Sequence, residues 1–103
     1  MTSKSSVRHV VVTKTFERAA RRATKHSSEL AEQIRATVRL LQSDMSALAL
    51  RSHKLKGELD GCWACSVNYS IRIVFEIGEP RAINGVIAET IVLLTIGTHD
   101  EVY

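Results

Sequence analysis

Two histidines stand in settings unlike the rest of this chain. His99 follows the uncharged, β-branched run Thr90-Ile-Val-Leu-Leu-Thr-Ile96 and Gly97, and precedes Asp100, Glu101, Val102 and Tyr103. A run of that length and composition suits a strand buried on both faces. His99 and Tyr103 are therefore expected at the tip of a rigid rod, where an imidazole that titrates near neutrality can give or take a proton. His53 opens a second cluster, Arg51-Ser-His-Lys-Leu-Lys-Gly57. In an extended segment, His53 and Leu55 point one way and Lys54 and Lys56 the other. The cluster fits a phosphate-binding rim, and equally an exposed basic loop. His9, in a valine-rich segment with no partner nearby in sequence, reads as an edge residue.

Cys62 and Cys65 form a C-W-A-C pair. A four-thiolate zinc site needs a second such pair, which the sequence lacks. Positions three apart on a strand also face opposite ways. Half-buried thiols in a reducing compartment are the expectation, with no metal and no cofactor.

The chain has 103 residues, 45% hydrophobic and 24% charged, and a net charge of +3. Those values predict one globular domain over residues 1–103, with a single modest core. No apolar run approaches a bilayer span or a secretion signal, so a cytoplasmic location is expected. Charge is unevenly spread. Residues 1–56 hold twelve Lys/Arg against four Asp/Glu, whereas residues 57–103 hold two against seven. A basic half favours a polyanionic partner, RNA or DNA first, although a solvated helix face reads the same way.

The elements that must position these residues follow from periodicity. Met1–Ser6 is expected to fray, and Val7–Thr13 to form a short strand. Thr13 caps a helix ending near His26, with Phe16, Ala19, Ala20 and Ala23 as its apolar stripe. Lys14, Arg18, Arg21 or Arg22, and Lys25 make a basic ridge elsewhere on the cylinder. After Ser27 and Ser28, a second helix over 29–41 turns Leu30, Ile34, Val38 and Leu41 inward, and the two make a helical hairpin. Met45, Leu48 and Leu50 are expected to pack. Strands follow over 62–68 (Trp63, Cys65 and Val67 on one face), over 71–77 (Ile71, Ile73, Phe75 and Ile77 inward) and over 90–96. Asn68-Tyr69-Ser70 is a turn, and Gly78–Glu89 a loop or hairpin extension holding Pro80 and a turn-forming Asn84-Gly85 pair. The fold class is α+β: an N-terminal strand, a helical hairpin, then a small, mostly antiparallel sheet.

The order His53-Lys-Leu-Lys-Gly57, Trp63, Arg72-Ile-Val-Phe-Glu-Ile77 and Ile96-Gly-Thr-His-Asp-Glu-Val-Tyr103 resembles the RelE/YafQ group of bacterial type II toxins. The resemblance covers almost the whole chain and is most specific in its second half. It implies a RelE-like microbial RNase fold and a metal-independent endoribonuclease that cuts mRNA in the ribosomal A site. It also implies a cognate antitoxin, expected to cover the basic surface with an acidic, partly helical segment. In such chemistry the ribose 2′-OH attacks its own phosphate. A base takes that proton, an acid protonates the leaving 5′-oxygen, and cations stabilise the phosphorane. The resemblance makes His99 the general acid, His53 the general base or its helper, and Arg72 the scissile-phosphate contact. Tyr103 becomes a base-stacking or orienting residue, and Lys54 and Lys56 substrate-binding cations. Arg72 could instead pair with Glu76. The chain departs from the YafQ pattern at Ser66 and Ser70, where those enzymes carry a histidine and an aspartate. Asp100 is only a weak substitute. The alternative function is a non-catalytic or gyrase-directed ParE-like toxin of the same fold. A general nucleic-acid-binding domain ranks below both, because the aromatic residues are too few for a stacking platform.

Overall fold

A computed structural model of the chain describes residues 3–4 and 7–103, so most of the N-terminal segment expected to fray lies outside the described residues. The elements in order are β1 (Ser3–Lys4), β2 (His9–Val12), α1 (Lys14–Thr24), α2 (Ser28–Ser43), β3 (His53–Lys54), β4 (Trp63–Ser66), β5 (Ile71–Ile83), β6 (Val86–Thr98) and α3 (His99–Val102). The sheet order is β1-β6-β5-β4-β3, with β2 also on β6. β1 and β2 run parallel to β6, and the remaining pairs are antiparallel. β6 is thus paired along both edges, which is where a run of β-branched residues without charge belongs.

The α+β class holds. Thr13 caps α1 by accepting from the Phe16 amide at 3.1 Å, while its hydroxyl donates to the Leu93 carbonyl at 2.8 Å and so pins the helix start to β6. Ser27 caps α2 by accepting from the Leu30 amide at 3.1 Å. Both helices turn their predicted stripes to one face of the sheet. There Phe16, Ile34, Leu41 and Leu50 meet Cys65, Ile73, Phe75, Ile91, Leu93 and Ile96 in one core, with Ala19, Ala20, Leu30 and Val38 packed at its margin. Met45 packs there too, but Leu48 is 94% exposed, on the outer side of a 3-10 turn over Leu48–Leu50.

Of the two readings of segment 78–89, loop or hairpin extension, the structure shows the extension. β5 and β6 continue to a two-residue turn at Asn84 and Gly85, whose φ values of 52° and 79° are the left-handed pair that such a turn needs. β4 covers β5 only from Arg72 to Phe75. Beyond it β5 is an edge strand, with β6 on one side and no strand on the other, which is why Ile77, expected in the core, is 45% exposed. Pro80 falls at a register shift on that uncovered length of β5, a position that needs no ladder donor.

A second register shift sets the site. Val74 pairs with Thr95 and Phe75 with Leu93, so Leu94 is an unpaired extra residue in β6. The bulge reverses the alternation, and Leu93 and Ile96 both enter the helix-side core, at 1% and 4% exposure. Truncating the fully buried Phe75, which stacks on Trp63, is predicted to cost about 3–5 kcal/mol. Urea denaturation of Phe75→Ala checks this, and a loss below about 1 kcal/mol would contradict the packing.

Candidate active site

Because of the bulge, Gly97 shares a row with Arg72 and Ser66, on the sheet face opposite the helices. β6 ends one residue later, and Thr98 starts α3 with a reciprocal cap. The Glu101 amide donates to the Thr98 hydroxyl at 3.3 Å, and the Thr98 amide to Glu101 Oε1 at 2.8 Å. These bonds from Thr98 hold the Glu101 carboxyl below its ordinary range. The helix folds back over Gly97, where a β-carbon would lie 3.0 Å from Glu101 Oε1 and 3.3 Å from Val102 Cγ1. Gly97 is therefore the seat of α3, needed for close approach and not for an unusual φ.

His99 opens α3 and Tyr103 follows its last residue, one turn on, with the rings edge to face and centroids 4.5 Å apart. Burial pushes the Tyr103 phenol above its ordinary range, with the Arg72 cation nearby acting in the opposite sense. His99 is largely exposed, with Nδ1 3.7 Å from Asp100 Oδ1, so the two neighbours do point together, at a separation too long for a hydrogen bond.

Arg72 is oriented by the turn before it. Its Nη1 donates to the carbonyls of Asn68 at 2.8 Å, Tyr69 at 3.1 Å and Ile71 at 3.2 Å. Asn68 builds that turn: its Oδ1 accepts from the amides of Ser70 and Ile71, and its Nδ2 donates to Gln33 on α2 at 2.9 Å. The remaining guanidinium donors of Arg72 have no partner among the described residues and are available to an anion. Arg72 does not pair with Glu76, since side chains four apart on one strand are separated by about 13 Å.

The other expected site residues lie elsewhere. His53 pairs with Ala64, which pairs with Val74, so His53 shares the face of Arg72 but stands two strands away. Register puts about 12 Å between their backbones. The strand order thus sets His53 on β3 and His99 after β6, three strands apart, and does not bring the two together. His53 Nδ1 lies 3.0 Å from the Arg51 carbonyl, which can only accept, so the ring donates through Nδ1 in that contact. Lys54 faces the opposite way, with Nζ 5.6 Å from the Trp63 ring centroid. Lys56 is exposed at the start of a 3-10 turn over Gly57–Leu59. These lysines do not join the Arg72–His99 group. Tyr69, 96% exposed on the turn that holds Arg72, is an aromatic beside the site to which the sequence pattern gave no role. Asn68 and Gly97 were legible only as a turn residue and a strand stop.

Cys65 is fully buried, not half-buried, and burial pushes its thiol up to about 12. Thiolate chemistry there would need pH near that value. A disulfide reagent at neutral pH is predicted to modify Cys62 alone in the folded chain and Cys65 only on unfolding. Equal rates for both thiols would contradict the burial.

Residues 8–103 match the family described as "Bacterial toxin of type II toxin-antitoxin system, YafQ". Among solved structures, the chain is similar to a YoeB/ParE toxin from Agrobacterium tumefaciens, with a TM-score of 0.71 and 15% identity over 88% of this chain and 98% of that one. It is similar to YafQ from E. coli strain BL21(DE3), with a TM-score of 0.67 and 13% identity over 93% of this chain and 98% of that one. It is also similar to a structure of the E. coli DinJ-YafQ complex, with a TM-score of 0.65 and 14% identity over 93% and 98% of the two chains. At such identities the structures show a shared fold. No individually curated protein matches the sequence. Among the described residues, no helix is long and apolar enough to cross a membrane.

Replacing Gly97 by valine is predicted to lift α3 from the sheet. The Tyr103 amide, which donates to the His99 carbonyl at 3.1 Å, should lose protection from hydrogen exchange, while amides of Ile73 and Ile91 keep theirs. Retention of the His99–Tyr103 ring-current shift in Gly97→Val would show that α3 does not depend on this seat.

Proposed function

The chain belongs to the YafQ family of toxins of bacterial type II toxin–antitoxin systems, and from that premise we propose that it is a metal-independent endoribonuclease cutting mRNA in the ribosomal A site. The observation that carries this reading is the end of the sheet at Arg72. There, a guanidinium with free donors and an imidazole at the start of α3 flank one row of the exposed face. A phosphate set against Arg72 has two non-bridging oxygens to match its fork. Attack by the neighbouring 2′-oxygen builds negative charge on those oxygens, where the cation is most effective. His99 in its protonated form gives its proton to the leaving 5′-oxygen, and the Tyr103 ring against it restrains the imidazole. With serine at 66 and 70, no carboxylate stands beside Arg72 in its row, and the 2′-OH proton passes to solvent. His53, on the same face and remote from His99, contacts RNA on the flank and does not serve as the base. Among the described residues, no three His, Cys, Asp or Glu side chains cluster in a way that could hold a metal ion, and no step is routed through one.

The same reading supplies a partner, since one of the similar E. coli structures is a DinJ-YafQ complex. A cognate antitoxin with an acidic, partly helical segment is proposed for this chain. Ser66 and Ser70 favour a second reading, in which the chain acts through protein binding, for example on gyrase.

Replacing His99 by alanine separates the two. An enzyme that uses His99 as its acid should lose about 10²–10⁴-fold in cleavage rate and stop arresting growth, while still binding its antitoxin. Toxicity that persists in His99→Ala, with DNA damage and intact mRNA, would favour the protein-directed reading. Arg72→Lys should not restore an Arg72→Ala loss, because an ammonium lacks the planar fork.

A further inference from the structure

Helix α1 carries its cations on the side turned away from the sheet. Lys14, Arg18, Arg22 and Lys25 are all exposed and fall within one stripe of the cylinder, opposite Phe16, Ala19 and Ala20. From Lys14 to Lys25 the stripe runs about 16 Å. The one carboxylate in that stretch, Glu17, is bound to Arg21 at 2.9 Å, and Arg18, Arg22 and Lys25 form no ion pair among the described residues. On α2, by contrast, Arg35 is held by Glu32, whose carboxyl it keeps below the ordinary range. Among the described residues the exposed helix cations outside any ion pair are Lys14, Arg18, Arg22 and Lys25 around α1, and Arg39 alone on α2.

Two cavities give this stripe a direction. Arg18, Arg21, Arg22 and Lys25 line an open groove of about 530 Å³. Arg22 also lines a recess of about 560 Å³ with Ile71, Gly97 and Glu101. Ile71 and Gly97 are the neighbours, in sequence and in register, of Arg72. The ridge therefore leads around the end of the sheet towards the candidate site.

We propose that this ridge binds the sugar–phosphate backbone of RNA beyond the cleaved linkage, an inference that rests on the ribonuclease reading of the Arg72–His99 site. The chemistry of the surface selects a nucleic acid over a protein. No large hydrophobic residue of α1 or α2 is exposed among the described residues; the exposed ones lie on the β5–β6 hairpin, the loops, β2 and its approach, and at Tyr103 after α3. Protein interfaces are anchored by buried aromatic and aliphatic groups, whereas a phosphate backbone asks only for spaced cations. Guanidinium groups suit it best, through paired hydrogen bonds to phosphate oxygens. Contacts of this type set position and affinity without reading sequence.

The experiment compares the full-length His99→Ala protein, which leaves RNA uncut, with the same protein carrying Arg18→Ala, Arg22→Ala and Lys25→Ala. Fluorescence anisotropy with labelled polyuridylate over a salt series gives the slope of log affinity against log salt. Loss of three phosphate contacts should make that slope shallower by about two. Affinity for labelled polyadenylate should fall by the same factor. If the triple variant fails to fold by circular dichroism, Arg22→Gln alone should shift the slope by about 0.7. An unchanged slope overturns the proposal and leaves the ribonuclease reading intact. Loss confined to antitoxin binding also overturns it, since the ridge would then be a protein surface. A His99→Ala parent that binds no RNA defeats both.

Discussion

The pairing of β5 with β6 is the constraint on which the rest depends. Each strand runs thirteen residues, β6 is bonded along both edges, and neither helix would have a surface to cover without them. Within that pairing, the unpaired Leu94 is decisive. A regular ladder would alternate without interruption, so burying Leu93 would turn Ile96 outward and Gly97 inward. The bulge lets both large residues enter the core and brings the glycine to the opposite face. Only there can α3 close down over it. Hydrophobic burial on one side of the sheet thus fixes the geometry of a polar site on the other.

The polar end of the sheet is assembled from short-range devices. A reciprocal cap at Thr98 turns the chain, an i,i+4 ring contact sets His99 against Tyr103, and an asparagine-built turn aims Arg72. None is worth much alone, and capping contributes on the order of 1 kcal/mol. Their effect is positional, because each is mounted on a strand that cannot slide without emptying the core. The lysines and His53 are held by nothing comparable. β3 is a two-residue edge strand, and Lys54 is engaged with Trp63.

What the sequence revealed and what it hid divide along the same line. The stripes of α1 and α2, their caps at Thr13 and Ser27, and the Asn84-Gly85 turn were readable because each is decided within a few residues. The extent of the hairpin was not. Pro80, Gly78 and the polar residues around them left loop and hairpin extension both open, and two long partners paired through the segment. Leu94 gave no local sign of a bulge, since an apolar run has no alternation to break. The separation of His53 from His99 was hidden for a related reason. Both residues carried the right chemistry, but the number of strands between them is a property of sheet order, which no local spacing encodes. α3 was missed because four polar and apolar residues after a glycine show no periodicity, although Thr98 and Glu101 formed a capping box that could have been read.

The central claim is that the scissile phosphate sits between Arg72 and His99. A crystal structure of the protein with a 2′-deoxy-substituted oligonucleotide, which lacks the attacking hydroxyl, tests it most directly. The account predicts a phosphate within hydrogen-bonding distance of the free Arg72 guanidinium donors and of the His99 ring. A phosphate bound instead at His53, Lys54 and Lys56, with Arg72 still held only by its turn carbonyls, would contradict it.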